Sequence, residues 1–308
     1  MALRKNTPIT LAEVKLFASF ELLAKQTVEG FITGLHRSPY HGFSVEFAEH
    51  KLYNPGEGTR HIDWKVYAKT DKLYTKRYEE ETNLRCTILI DTSSSMYYPA
   101  ENNGKILFSA WAAAAIACLL QKQRDAFGLC TFSNAIHYQS AIKSTSVHLH
   151  TLMKHLSQLS SDQVLNHQTT ALSDVLHQIA NMSHRRSLIV LFSDMFDQME
   201  NNEAIFSALQ HLKHNQHEVL LFHVFDKKTE QSFEFQQRPY VFTDVETGAK
   251  IKLLPHEYKA QYNTAITNYY KLLKDKCGAY KIDFIEVDIN EPAENVLLQF
   301  FMKRASMR

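Results

Sequence analysis

The chain has 308 residues, 44% hydrophobic and 22% charged, an ordinary globular balance that can bury a core in one large or two small domains. Its formal net charge is +1, so no global field draws it to nucleic acid or to an acidic membrane. Four widely spaced cysteines, Cys86, Cys118, Cys130 and Cys277, include no Cys-x-x-Cys pair; three lie in predicted core strands or helices, where a thiol is a small hydrophobe, and a reducing, cytoplasmic setting is the simpler reading.

Residues 1–29 are expected to form an N-terminal helical segment. Charges interrupt each of its apolar stretches, so it does not read as a signal peptide. Residues 30–83 lack long helical periodicity and are rich in Gly, Tyr, His and charge. They are expected to form a small β-rich subdomain of short strands and turns. Within it, Arg60, Asp63 and Trp64 read as a structural ion pair under an aromatic lid, and Glu79-Glu80-Glu81 as a solvated face.

From Leu84 the pattern changes. An apolar, β-prone run ends in Asp91-Thr92-Ser93-Ser94-Ser95. A buried strand that stops in Asp-x-Ser-x-Ser gathers three hard oxygen donors on one loop, and such donors suit Mg²⁺ better than a soft metal. Asp and Ser after a strand also cap turns, so the motif needs further donors elsewhere in the chain to count as a site. A helix is predicted from about Lys105 to Gln123. Its apolar run, Ile106 to Leu120, is shorter than the ~20 residues a spanning helix needs and reads as a core helix rather than a membrane insertion.

Asp125 to Ser133 is the next predicted strand, with Ala135 to Gln139 as a hairpin partner. A helix over about Ser146 to Leu159 follows, then one with Leu172, Val175, Leu176 and Ile179 on one face. Ser187 to Asp194 repeats the opening pattern, an apolar strand ending in an acid. A helix through Ile205, Leu209 and Leu212 leads to the strand Val219 to Asp226. Residues about 227–254 read as an insertion carrying a hairpin around Glu246-Thr247-Gly248. A helix through Tyr258, Tyr262, Ile266, Tyr269 and Leu273 and a strand over Ile282 to Val287 close the pattern. Continuous apolar strands separated by helices imply a mostly parallel sheet with crossovers. Ligands of such sheets bind at the carboxyl ends of the strands, where Asp91 and Asp194 both fall.

Asp91, Ser93 and Ser95 resemble the metal-ion-dependent adhesion site of von Willebrand factor A domains. Thr170, just before the Leu172 helix, and Asp194 occur in that family's order. The resemblance implies a Rossmann-like α/β domain over 84–304, with a mostly parallel central sheet and helices on both faces. It implies that Ser93 and Ser95 bind the cation directly, and that Asp91, Thr170 and Asp194 bind directly or through water. The cation would be Mg²⁺, or Mn²⁺ or Ca²⁺, and a partner's acidic side chain would complete its octahedron.

Upstream, Gly34-x-x-x-Ser38-x-x-x-Gly42-Phe43-x-x-Glu46-Phe47, Tyr53-Asn54-Pro55-Gly56-Glu57-Gly58-Thr59-Arg60-His61-Ile62-Asp63-Trp64 and Tyr78-Glu79-Glu80-Glu81 are similar to the signature of domain-of-unknown-function family 58. The Asp244-Val245-Glu246-Thr247-Gly248 hairpin and the closing helix before Arg304 are similar too. Gly56-Glu57 stands where that family commonly has Gly-Asp, and Gln168-Thr169 where it has glycines before the metal-site Thr, a change that alters how closely that loop approaches an ion. The resemblance implies a noncatalytic metal-dependent interaction module, partner or adaptor of a MoxR-type AAA+ ATPase in a chaperone-like or complex-remodelling system. The chain has no Gly-x-x-x-x-Gly-Lys-[Ser/Thr] phosphate loop of its own.

Two Mg-dependent or acid-dependent hydrolases are the alternatives. Asp91-Thr92-Ser93-Ser94 is similar to the Asp-Thr-Gly-Ser element of aspartic proteases, but no second such element supplies the paired carboxylate. A haloacid-dehalogenase-type phosphatase needs Asp-x-Asp, and Ser93 stands in place of its general acid. Sixteen histidines raise zinc, yet no His-Glu-x-x-His pattern occurs. Tyr258, Tyr262, Tyr269 and Tyr270 have no basic stripe beside them and read as packing rather than a stacking platform for nucleic acid.

Overall fold

The computed structural model describes residues 24, 25, 28, 50–52, 64–76, 84–99, 104–161, 171–196, 202–245, 247–291 and 296–297. The chain divides into two compact units, Ile32–Asn83 and the remainder, Met1–Phe31 with Leu84–Arg308.

In the smaller unit, β1 (His50–Leu52) pairs antiparallel with β2 (Tyr74–Lys76). Between them lies a short helix, α1 (Trp64–Thr70), which sequence periodicity did not disclose. Two turns are too short to set up an i, i+3, i+4, i+7 stripe. Asp71 ends the helix with φ 50° and returns its N–H to the Tyr67 carbonyl at 2.9 Å, an αL stop of the kind Asp and Asn tolerate.

The larger unit is built on a six-stranded sheet. Its strands are β3 (Arg85–Asp91), β4 (Ala126–Phe132), β5 (Ile136–Gln139), β6 (Leu188–Ser193), β7 (Glu218–Phe225) and β10 (Asp283–Asp288), in the spatial order β10-β7-β6-β3-β4-β5. All pairings are parallel except β4 with β5, the antiparallel edge. A separate hairpin, β8 (Tyr240–Thr243) with β9 (Lys250–Leu253), lies within the segment after β7, and Gly248 at its turn takes φ 73°.

The helices are α2 (Gly104–Lys122), α3 (Ser146–Ser161), α4 (Leu172–Met182), α5 (Asn202–His214) and α6 (Pro255–Ala279). Successive strand side chains point to opposite faces. Leu89, Leu191 and Leu221 share one cluster with α4, α5 and the α6 residues Leu273 and Cys277. The alternate residues, including Ile88, Val190 and Phe192, therefore face the other side. There α2 packs on β3, β4 and β7 and against α3. The arrangement is the mainly parallel α/β sheet, covered on both faces, that the sequence implies. None of the four cysteines is in a disulfide, and all four are buried.

One described helix, α2, is long and apolar enough to cross a membrane, and 94% of its most apolar window is buried inside the fold. It is apolar around its whole circumference because the sheet, α3 and the loops enclose it, the mark of a core helix.

The chain's path fixes where a ligand can sit. From β3 it crosses to β4 on one side, then returns to β6 on the other, so the strand order reverses at β3. Loops leave this point in opposite directions and open a crevice beyond the carboxyl ends of β3 and β6.

Candidate functional site

Asp91 is the last residue of β3 and is fully buried. Its Oδ1 accepts the Ser93 N–H at 2.9 Å, and its Oδ2 accepts the Ser193 hydroxyl at 2.8 Å. Burial first, and the charge of Asp194 second, push the Asp91 carboxyl up to about 7, against those hydrogen bonds.

The loop after Asp91 is held by β4. Thr92 donates both its N–H (2.7 Å) and its hydroxyl (2.8 Å) to the Phe132 carbonyl. Ser94–Tyr97 then form a 3₁₀ turn, with Met96 N–H bonded to the Ser93 carbonyl at 3.1 Å. This turn folds Ser95 back toward Ser93, and their hydroxyl oxygens stand 3.0 Å apart. Ser93 is buried and Ser95 half-buried.

Asp194 follows β6 directly, one residue beyond the strand end. Its Oδ1 accepts the Phe196 N–H at 3.2 Å and its Oδ2 accepts from Lys105 Nζ at 2.9 Å. His223 Nε2 donates to the Asp194 carbonyl at 3.0 Å. Thr170 lies outside the described residues; its neighbour Ala171 donates its N–H to the Ser133 carbonyl, just past β4, at 3.1 Å.

Three residues of this neighbourhood were not anticipated. Ser193 binds Asp91 across 102 positions of sequence. Lys105, at the start of α2, is fully buried and paired with Asp194. Glu230 receives the same ammonium at 2.5 Å. Glu230 belongs to a π-helical turn, Lys227–Gln231, and its Oε2 accepts the Asp226 N–H at 2.8 Å while the Tyr262 hydroxyl donates to its carbonyl at 2.7 Å. Burial works against the Lys105 charge, but the two carboxylates outweigh it and hold the amine above the usual lysine range. The signal that could have found Lys105 is a lysine opening an otherwise apolar helix.

The donor set fits a small hard cation. Ligands about 2.1 Å from an octahedral ion stand about 3.0 Å apart along an edge, the separation of the two serine hydroxyls. Asp91 supplies a buried carboxyl donor, and among the described residues no basic side chain is hydrogen-bonded to it. Among the described residues no group of three His, Cys, Asp or Glu is placed to hold a metal, so an ion here would rest on hydroxyls as much as on carboxylates.

Two of the sixteen histidines, His148 and His155, have partners of their own on the sheet edge. His148 Nε2 bonds the Phe127 carbonyl at 3.0 Å, and His155 stacks on Tyr138 with centroids 4.0 Å apart.

A family described as "protein of unknown function DUF58" matches residues 49–270. The chain belongs to the DUF58 family. Uncharacterized proteins of Mycobacterium tuberculosis and Mycobacterium bovis are 24% identical to this DUF58 chain over 176 residues. The match covers 57% of this chain and 55% of each relative, so the chain spans about half the length of the curated relatives it matches. Among solved structures, a conserved hypothetical protein BatB from Bacteroides thetaiotaomicron is similar, with TM-score 0.42, 13% identity, and coverage of 72% of this chain and 99% of that one. The SpRpn10 VWA domain is similar with TM-score 0.39, 14% identity, and coverage of 70% and 93%.

Proposed function

We propose that this DUF58 chain is a noncatalytic, metal-dependent protein-interaction module. One observation carries the reading: at the point where the strand order reverses, a buried carboxylate and two hydroxyls 3.0 Å apart converge on one loop. Asp91, Ser93 and Ser95 would hold Mg²⁺ (or Mn²⁺ or Ca²⁺), with Thr170 and Asp194 as direct or water-borne ligands. The ion would supply an electrophilic position for an acidic side chain of a partner. Ser95 is half-buried and marks the side from which such a group reaches it.

The noncatalytic reading rests on what stands beside Asp91. A phosphatase of the Asp-x-Asp type needs an acid two residues on, and that residue is Ser93. Paired-carboxylate proteolysis needs two acids sharing a proton, whereas Asp194 is neutralised by Lys105.

The partner we propose is a MoxR-type AAA+ ATPase, with the chain as its adaptor in a chaperone-like or complex-remodelling system. The family resemblance supports this choice, and four buried cysteines outside any disulfide support a cytoplasmic setting. The test is capture from a cell lysate in magnesium, wild type beside Asp91→Ala, with a chelator control. Recovery of an AAA+ ATPase by wild type alone, and only with metal, is the expected result. Equal recovery by Asp91→Ala, or capture that survives the chelator, would contradict the reading.

A further inference from the structure

Lys105 is an unusual feature of this site. Its side chain is 0% exposed, and a lysine is almost never fully buried unless paired. Here it is paired twice, with Asp194 Oδ2 at 2.9 Å and Glu230 Oε1 at 2.5 Å. The Asp194 carboxylate is thereby engaged on both oxygens, the other accepting the Phe196 N–H. Among the described residues Asp91 has no such cation; its Oδ1 accepts from Ser93 and its Oδ2 from Ser193. Two carboxylates at the ends of adjacent strands thus stand in opposite electrostatic states.

Resting on the metal reading above, we propose that Lys105 is a built-in cation that keeps Asp194 out of the direct coordination shell and leaves Asp91 as the sole charged side chain bound to the ion. The ammonium occupies Oδ2, the Asp194 oxygen that the Phe196 N–H leaves open. It also offsets the Asp194 charge, so the ion surrenders less of its own charge to the protein. A divalent ion held by one carboxylate and hydroxyls keeps net positive charge for an external acidic group. Lys105 acts through Asp194 and is a positioning residue. Glu230 holds the ammonium from its far side, and the Asp226 N–H holds Glu230.

Calorimetric titration of the full chain with Mn²⁺ tests this, paired with water-proton relaxation to count waters on the bound ion. Wild type, Asp91→Asn, Asp194→Asn and Lys105→Met are compared, each checked for folding by circular dichroism. Asp194→Asn is expected to keep the water count unchanged and to lose no more than about tenfold in Mn²⁺ affinity, through the Lys105 charge it unmasks, while Asp91→Asn loses at least about a hundredfold. Lys105→Met is expected to bind Mn²⁺ at least about tenfold tighter and to lose one bound water as Asp194 enters the shell. A purely structural lysine would not tighten metal binding when removed. If Lys105→Met does not fold, the Asp194→Asn comparison decides alone.

Loss of affinity in Asp194→Asn equal to that in Asp91→Asn would overturn the proposal while leaving the metal site intact. Wild type that takes up no Mn²⁺ would overturn the metal reading itself, and this proposal with it.

Discussion

At the scale of single residues, the candidate site shows what sequence can carry. Asp91, Ser93 and Ser95 were legible as neighbours because one loop holds all three, although Asp and Ser after a strand also cap turns. Lys105 and Glu230 were not legible, because their meeting depends on a fold that joins positions 125 apart. Ser193 reads in sequence as one more strand residue, and only the parallel register of β3 with β6 turns it toward Asp91. His223 is similar. It sits in an unbroken apolar strand, yet its buried ring donates to the Asp194 carbonyl and packs edge-on to Tyr270 at 4.6 Å. Burial, partly opposed by Asp194, lowers its pKa from 6.5 to about 4. Between those values the unfolded chain binds a proton that the folded chain refuses, so the fold weakens as pH falls through that window. Asp91 acts in the opposite sense, from 3.8 to about 7, which makes a variant the proper reference. His223→Gln keeps a donor near the Asp194 carbonyl and cannot titrate. Its urea-unfolding free energy should fall less between pH 7 and pH 5 than that of wild type, by about 2 kcal/mol. An unchanged difference would remove His223 as the source.

At the scale of elements, the long units followed from pattern. The α2 helix and the β3, β6 and β7 strands matched their predicted spans to within a residue or two, because each buries an unbroken or regularly spaced apolar set. Short units did not show themselves. The α1 helix has seven residues, and the π-helical turn that presents Glu230 has five. Both depend on tertiary contacts rather than local propensity. Gly128, mid-strand in β4, is a further case. A Cβ there would lie 3.1 Å from Ile142 Cγ1 and 3.3 Å from the Ala141 carbonyl oxygen. The chain returning from β5 crosses this point closely, bonded through Phe127 and Lys143 at 3.1 Å in both directions. Glycine is what the close approach requires. Gly128→Ala should destabilise the fold by about 1–3 kcal/mol in urea unfolding, through overpacking against backbone that cannot move freely. A neutral or stabilising outcome would mean the 140–143 segment is not fixed there.

At the scale of the whole molecule, topology and charge meet at the carboxyl ends of β3 and β6. The strand order reverses at β3, and beyond that point the chain gathers one acid paired with a buried lysine, one acid held by hydrogen-bond donors and two hydroxyls 3.0 Å apart. The fold and the placing of Asp91 and Asp194 at the carboxyl ends of its strands were legible together, since alternating apolar strands and helices force the sheet. The unequal charge state of the two acids was not legible, because it is a property of packing. The central claim is that this site binds a divalent cation through Asp91. Urea unfolding of the full chain with and without magnesium tests it most directly. An ion bound only by the folded chain adds about 2.7 kcal/mol at a hundredfold excess over its dissociation constant. The account predicts that gain for wild type and none for Asp91→Ala. Equal unfolding of wild type with and without magnesium, at concentrations up to tens of millimolar, would contradict it.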